Sequence, residues 1–338
     1  MDVPCAQFTT LGIGGPARYF ARVESERELI ESSEFAEEKG LPSFILGGGS
    51  NVLIADNGFD GLVIQIRSTG IQSEKIPSGE VRVTAQAGED WDSLVAYCVN
   101  NDLAGVECLS GIPGSVGGTP IQNVGAYGQE VAETITSVRC LDRNKKKIID
   151  LSNAECGFTY RKSIFNSTMR DRYVVLSVTF TLKKGGEPRI TYKDLKDQFR
   201  ESRPTIAEVR EAVLRVRRAK SMVLDESDPN SRSAGSFFKN PIVSLEHLAE
   251  LQLKFEGIPF FEFGEAVKIP AAWLIEQAGF HKGFSFGNAG ISSNHTLAII
   301  NRGHATAAEV VALKDQIQRT VEAKFGIELQ PEPVFVGF

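Results

Sequence analysis

Ser43-Phe44-Ile45-Leu46-Gly47-Gly48-Gly49-Ser50-Asn51-Val52-Leu53-Ile54-Ala55 is the stretch on which the fold turns. A short apolar strand pattern breaks into three glycines and two small polar residues, and the strand pattern resumes at Val52. Glycine lets backbone N–H groups approach an anion with no Cβ in the way. Ser50 and Asn51 add short donors. A Rossmann loop requires G-x-G-x-x-G between a strand and a helix, whereas these glycines lead into another strand. Gly12-Ile13-Gly14-Gly15-Pro16 also misses that spacing. Gly111-Ile112-Pro113-Gly114-Ser115-Val116-Gly117-Gly118-Thr119 has no lysine and is not a Walker A loop. Each loop alone reads as a tight turn. The three together read as the cradle of one extended phosphorylated ligand, such as a dinucleotide, on a non-Rossmann fold.

The surrounding pattern is α+β. Arg18–Val23, Ser43–Leu46, Val52–Ala55, Leu62–Ile66 and Val81–Ala87 read as strands, and Trp91–Asn100 reads as a helix. Ser25 is placed to cap a helix, with Glu28 closing a capping box and Gly40 ending it. Ser137–Asp142, Lys147–Leu151 and Tyr173–Leu182 complete a β-rich first half, and the glycine-rich region from Gly105 to Gly128 has no clear period. Thr205 and Glu208 open a strong helix running to about Lys220. Its basic face (Arg210, Arg215, Arg217, Arg218) reads as solvated surface. Ser244–Leu251 and Ala271–Gln277 are expected helices, Thr296–Asn301 a strand, Thr306–Phe325 a long capped helix stopped by Gly326, and Leu329–Phe338 a last strand.

Composition narrows the function classes. A chain of 338 residues suggests two or three domains. The net charge of −6 argues against a nucleic-acid partner. Met1–Leu11 lacks a signal-peptide pattern, and no apolar run reaches membrane-spanning length, so no membrane association and a cytoplasmic setting are expected. The five cysteines form no C-x-x-C pair, which fits buried reduced thiols better than disulfides or a metal site.

Ser233-Ala234-Gly235-Ser236-Phe237-Phe238-Lys239-Asn240-Pro241 places a hydroxyl, an ammonium and a carboxamide within five residues, beside two aromatics. Such a mixture suits a pocket wall. It equally suits a loop whose phenylalanines anchor it to the core.

These residues, taken in order, resemble a known family. Thr10–Ala17, Leu46–Asn51, Gly111–Gly118, Gln122-Asn123-Val124-Gly125-Ala126-Tyr127-Gly128-Gln129-Glu130, Tyr160-Arg161-Lys162-Ser163-Ile164-Phe165, the Ser233–Pro241 stretch, Lys268–Glu276 and Pro331-Glu332 are similar to the motifs of the UDP-N-acetylenolpyruvoylglucosamine reductases. The similarity covers nearly the whole chain. It implies an α+β fold with an FAD-binding domain of the vanillyl-alcohol-oxidase (PCMH) type in two subdomains over residues 1–185, split near 68. Residues 186–225 would hold a tyrosine loop and connecting helix, 226–330 an α+β substrate-binding domain, and 331–338 a strand returning to the active site.

The resemblance also implies chemistry. An enolpyruvyl ether of a UDP-sugar would be reduced to a lactyl ether in cell-wall precursor synthesis, with non-covalent FAD and with NADPH as reductant. Negative charge building toward the substrate carboxylate would need fixed donors and cations beside it, and a proton must reach the adjacent carbon. By family match Arg161 clamps the carboxylate, Glu332 donates a hydrogen bond to the same oxygens, and Ser236 donates the proton. Without that match, Arg161 reads as a structural ion pair, Glu332 as an exposed acid and Ser236 as a turn serine.

Cofactor contacts carried over are Gly47, Gly48, Gly49, Ser50, Asn51, Gly111, Gly114, Ser115, Gly117, Gly118, Gly125 and Tyr127. Substrate contacts are Tyr192, Lys220, Asn240, Lys268 and His295, with Ile190–Leu195 as the closing tyrosine loop. No metal and no macromolecular partner is implied, and a monomer is expected. The chain departs from the family in a few extra residues between Lys220 and Ser236, in Phe260 where a tyrosine can stand, and in His295 where some members carry glutamine. A flavin oxidase of the same superfamily would explain the glycine loops equally well, but not Arg161, Ser236 and Glu332 in their contexts. A nucleotide-sugar-binding regulator is a third reading.

Overall fold

The computed structural model describes every residue of the chain except Glu201. The chain gathers into two compact units. One comprises Met1–Asp2, Ala17–Gly49 and Asp60–Val223, the other Val3–Pro16, Ser50–Phe59 and Leu224–Phe338. The chain therefore passes from one unit to the other between Gly49 and Ser50.

The first unit is α+β. Strands Pro16–Val23, Phe59–Ile66 and Ser43–Leu46 lie side by side in that order, with Ser43 opposite Leu62 and Leu46 opposite Gln65 in a parallel pair. Helix α1, Glu26–Glu38, connects the first and last of these. A larger antiparallel sheet runs Lys147–Ser152, Ile135–Asp142, Tyr173–Lys184, Val81–Gln86, Ile71–Lys75. Its central strand buries Val174, Val175, Leu176, Val178, Phe180 and Leu182, and each such side chain contributes about 1.5–3 kcal/mol by leaving water. Helix α2, Trp91–Asn100, packs Trp91 against Phe180 with ring centroids 5.9 Å apart. Helices α3, Lys193–Phe199, and α4, Ile206–Ala219, share a smaller core of Cys108, Leu195, Val209, Ala212 and Val213.

The second unit has three short sheets. Ile242–Ser244, Ala266–Lys268 and Phe261–Phe263 form one, and Ser285–Phe286, Ala289–Ile291 and Ile299–Asn301 form another. In the third, Val334–Val336 runs parallel to Val52–Ile54. Helices α5, Leu245–Gln252, α6, Ala271–Gln277, and α7, Ala307–Phe325, close a core that includes Leu11, Phe237, Phe238, Ile291 and Leu313. Asp56 accepts the Ala307 and Ala308 N–H groups at 2.7 and 2.9 Å, a carboxylate set on the positive end of α7.

Most elements lie where the pattern places them, and the differences have local causes. The capping boxes at Thr205/Glu208 and Thr306/Glu309 are formed, and Gly326 ends α7 in the left-handed conformation. At α1, Ser25 caps as expected, but Glu28 reaches past it to accept from the Glu24 N–H at 2.7 Å. The last strand is confined to Val334–Val336, and Thr296–Asn301 contracts to Ile299–Asn301 because the backbone turns at Thr296 and Leu297, with the Ala298 N–H donating to His295 O at 3.1 Å. Ile71–Lys75 has no sequence signature, since it is an edge strand with four exposed residues of five. All five cysteines are buried.

Candidate active site

The glycine loops of the first unit interlock. A Cβ on Gly47 would stand 2.6 Å from Ser115 Oγ, and one on Gly48 would stand 2.7 Å from Gly114 Cα. Two loops distant in sequence thus meet backbone to backbone, which only glycine permits. Gly117 is pressed onto Ala87 in the same way, at 2.6 Å. Gly49, Gly111 and Gly114 have φ of 68°, 70° and 126°. Gly118 differs: it is exposed, its φ is not positive, and a Cβ there would meet nothing within 4 Å. Neither strain nor protein packing demands glycine at 118. An open, Cβ-free backbone face beside interlocked loops fits the close approach of a phosphate-bearing cofactor such as FAD.

Gly111, where the loop begins, is gripped on both sides. Its N–H donates to Asp92 Oδ1 at 2.6 Å, and its carbonyl accepts from Arg217 Nε at 3.2 Å. Asp92, in the first turn of α2, is held by both terminal nitrogens of Arg210 at 2.6 and 2.7 Å. Burial alone would raise the Asp92 carboxyl, but the bonds from Arg210 and from Gly111 hold it below the usual carboxylate range. The expectation of a solvated basic face on α4 therefore fails for Arg210 and Arg217. Arg217 is 6% exposed, and its Nη2 donates to Met222 O at 2.7 Å. The sequence pattern shows which residues share a helical face, not what that face meets.

Tyr127 and Tyr192 meet edge to face with centroids 5.4 Å apart. Burial pushes the Tyr127 hydroxyl up, with Arg217 opposing and Tyr192 and Asp194 adding to it. The Ile190–Leu195 stretch is not wholly a loop, because Tyr192 is the N-cap residue of α3. Tyr192 remains 39% exposed. Lys220, the C-cap of α4, pairs with Asp194 at 3.3 Å, so the structure brings Tyr127, Tyr192 and Lys220 into one neighbourhood.

Arg161 stands at a second corner of the same unit. Its Nη2 donates to Gly125 O at 2.7 Å and Nη1 to Asn123 O at 3.5 Å, and its guanidinium lies 5.3 Å from the Tyr160 ring centre. Asn123, Tyr127 and Arg161 have φ of 46°, 50° and 53°. Left-handed backbone at non-glycine residues costs about 1–2 kcal/mol each and persists where surrounding bonds enforce it. Here the Asn123 amide enforces it, donating to Glu130 Oε2 at 2.8 Å and Thr159 O at 3.1 Å and accepting from Ala132 N.

In the second unit Ser50 is half-buried, and Asn51 Nδ2 donates to Glu332 O at 3.2 Å. The Glu332 N–H donates to Phe237 O at 2.9 Å, the Phe237 N–H donates to Leu297 O at 2.8 Å, and Phe238 bridges Pro331. Ser236 and Glu332 thus lie on adjacent backbone segments. Ser236 Oγ is 3.5 Å from His295 Nε2. Phe237 and Phe238 are core anchors, fully buried and 5.4 Å apart, so of the two readings of that stretch the anchoring one holds for the rings. Asn240 Oδ1 accepts the Ala271 N–H at 2.9 Å at the start of α6. Lys268 Nζ sits 4.6 Å from the Phe263 ring centre, and Phe260 is exposed. Arg161 belongs to the first unit, Ser236 and Glu332 to the second.

Comparison with known proteins decides the family. The family described as UDP-N-acetylenolpyruvoylglucosamine reductase, C-terminal domain, matches residues 228–336, and the family described as FAD binding domain matches residues 17–152. A UDP-N-acetylenolpyruvoylglucosamine reductase of Thermobifida fusca is 48% identical over 99% of this chain and 97% of its own length. One of Saccharopolyspora erythraea is 44% identical over 98% and 94%.

The chain belongs to the UDP-N-acetylenolpyruvoylglucosamine reductase family.

The crystal structure of the reductase of that name from Thermus caldophilus superposes with a TM-score of 0.67, at 26% identity, covering 99% of this chain and 98% of that one. Asp92, Arg210 and Arg217 are the site-shaping residues of this family member that sequence reasoning passed over. The one local signal was that Arg210 and Arg217 stand seven residues apart on α4, a spacing that puts them on the same face of one helix. No helix among the described residues is long and apolar enough to cross a membrane.

Proposed function

We propose that this chain is a flavin-dependent oxidoreductase of cell-wall precursor synthesis. It uses NADPH to reduce UDP-N-acetyl-3-O-(1-carboxyvinyl)-glucosamine to UDP-N-acetylmuramate. The observation that carries the reading is the near-full-length similarity, at 48% identity, to a reductase so named. The FAD-binding match over residues 17–152 and the open backbone face at Gly118 support the cofactor.

Bound FAD supplies a two-electron carrier between NADPH and the enol ether. Its holders are Gly47–Ser50 with Asn51, the Gly111–Gly118 loop, Gly125 and Tyr127. The chain's own groups manage the charge and the proton. As hydride adds to the terminal carbon of the double bond, electron density moves onto the substrate carboxylate. Arg161 binds those oxygens with a fixed cation, and Glu332 donates a hydrogen bond to them from its protonated form. Ser236 gives its hydroxyl proton to the carbon beside the carboxylate, completing the lactyl ether. A serine is a weak acid, and it suffices here because that carbanion is a strong base. His295, 3.5 Å from Ser236 Oγ, orients the hydroxyl. Lys220, Lys268 and Asn240 bind the UDP moiety, and Tyr192 closes over the substrate. Residues 1–185 form the cofactor domain, 226–330 the substrate domain, and 331–338 carry Glu332 into the site. The enzyme works in the cytoplasm as a monomer.

A stopped-flow experiment on the purified protein tests this. NADPH should bleach the flavin absorbance, and addition of the enolpyruvyl substrate should restore it without oxygen. Oxygen uptake with an alcohol or sugar, and no reoxidation by the enol ether, would establish the oxidase reading instead.

A further inference from the structure

We propose that Arg217 is a positioning residue that sets the opening of the Gly111–Gly118 loop for its cofactor and ties that loop to Tyr127. The inference rests on the reading that FAD occupies the glycine loops. Arg217 touches neither reacting atom in that scheme, and no family motif quoted above contains it.

The guanidinium is buried at the C-terminal end of α4, and burial pulls its proton affinity down. Its hydrogen bonds run to carbonyl oxygens, Gly111 O and Met222 O, and not to a carboxylate. Its further electrostatic partners are the Tyr127 hydroxyl and, more remotely, Asp92. Burying a cation against neutral acceptors is costly, and an apolar side chain would brace a helix better. What the guanidinium can do and an apolar side chain cannot is hold separate acceptors in one plane with a rigid fork. One acceptor is the first carbonyl of the glycine loop, a second is the carbonyl of Met222 just past α4, and the tyrosine hydroxyl is a third partner. Gly111 has φ of 70°, and a Cβ there would strike Leu214 at 2.7 Å, so the loop starts flush on α4 in a conformation that needs holding. With its N–H on Asp92 and its carbonyl on Arg217, the Gly111 peptide plane has little freedom to rotate. Val116, Gly117 and Gly118 are fixed separately, their N–H groups donating to Glu89 O, Ala87 O and Ser115 O at 2.9, 2.8 and 3.0 Å, so what Arg217 sets is the opening of the loop, from Gly111 to Gly114.

The test measures FAD dissociation from the as-purified holoprotein, read as flavin fluorescence appearing on dilution. It compares wild type with Arg217→Lys, Arg217→Met and Arg217→Ala. Loss of one or two charge-assisted hydrogen bonds corresponds to about a 10- to 100-fold weaker FAD affinity. Lysine keeps the charge but lacks the fork, so Arg217→Lys should recover only part of the loss. Added methylguanidinium should restore FAD affinity in Arg217→Ala and leave wild type unchanged, a rescue that a packing defect would not show. If Arg217→Met and Arg217→Ala fail to fold, Arg217→Lys carries the test alone, with about tenfold weaker FAD expected. Folded variants that hold FAD as wild type does, or a lowered melting temperature with unchanged FAD affinity, overturn the inference. A wild-type protein that holds no FAD would instead defeat the functional reading on which it rests.

Discussion

The Gln122–Glu130 turn with Arg161 and the Ser233–Asn240 segment both present groups assigned to one reaction, and they are held by opposite means. The first is a polar construction. Asn123, Tyr127 and Arg161 all have left-handed backbone, and the Asn123 amide and the Arg161 guanidinium are bonded to backbone carbonyls nearby. The second is an apolar construction. Only Gly235 takes positive φ there, at 75°, and Ser236 is placed by the two phenylalanines that follow it into the core. Strain at one corner is offset by hydrogen bonds, while the other corner needs no strain because side-chain burial fixes the chain. The role proposed for Arg161 requires a rigid fork aimed in a set direction. A short serine side chain needs only a firm base.

Breaking the functional end of the apolar corner should give the largest effect. Ser236→Ala is expected to slow reoxidation of the reduced flavin by the enol ether about 10²- to 10⁴-fold, the usual weight of a positioned proton donor, while flavin reduction by NADPH stays near wild type. Stopped-flow traces separate the two half-reactions, and equal loss in both would remove Ser236 from its role. Breaking the structural end of the same corner, Phe237→Ala, should cost about 3–5 kcal/mol by denaturant unfolding, since the ring is fully buried.

The polar corner should give way by a smaller amount and by a different rule. Asn123→Ala removes the bonds to Glu130, Thr159 and Ala132 and keeps the strained φ of 46°. A loss of about 2–3 kcal/mol is expected. Asn123→Gly loses the same bonds but relaxes the backbone, so it should be about 1 kcal/mol less damaging. If the two variants unfold alike, backbone strain does not set this corner apart from the other.

The smallest effect sharpens the contrast through pH. Asp92 is held below its ordinary value of 3.8 by Arg210 and Gly111. A depressed carboxyl contributes stability that is full above the unfolded value and is lost as pH falls through the folded one. Wild type should therefore lose about 1 kcal/mol below roughly pH 4 that Asp92→Asn, already lacking the charge, does not lose. Acid-unfolding midpoints of the two proteins check this. The Ser233–Asn240 segment carries no carboxylate and should add nothing to that difference.

Much of this was legible along the chain. Caps at Ser25, Thr205 and Thr306 follow from side chains three residues apart, and the strand Tyr173–Lys184 follows from its β-branched apolar run. These signals are local because the bonds that enforce them are local. The failures are non-local. Ile71–Lys75 is a strand because a neighbour offers it hydrogen bonds, not because its own residues ask for burial. Arg210 and Arg217 read as solvated because helical spacing cannot reveal that Asp92 and Gly111, more than a hundred residues earlier, pack against that face. Asn240 reads as a ligand contact, yet its oxygen also caps α6.

By itself the sequence determined that the chain is α+β, that its glycine loops belong to neither the Rossmann nor the Walker A type, and which family it joins, because glycine spacing and ordered motifs are written in one dimension. Only the tertiary structure decided that Gly47 and Gly48 serve to let one loop lie against another, that Gly118 faces open space, and that a buried arginine grips the loop at Gly111. Those assignments depend on which atoms stand within a few ångströms of each other, and distance in space is fixed by packing, not by position in the chain.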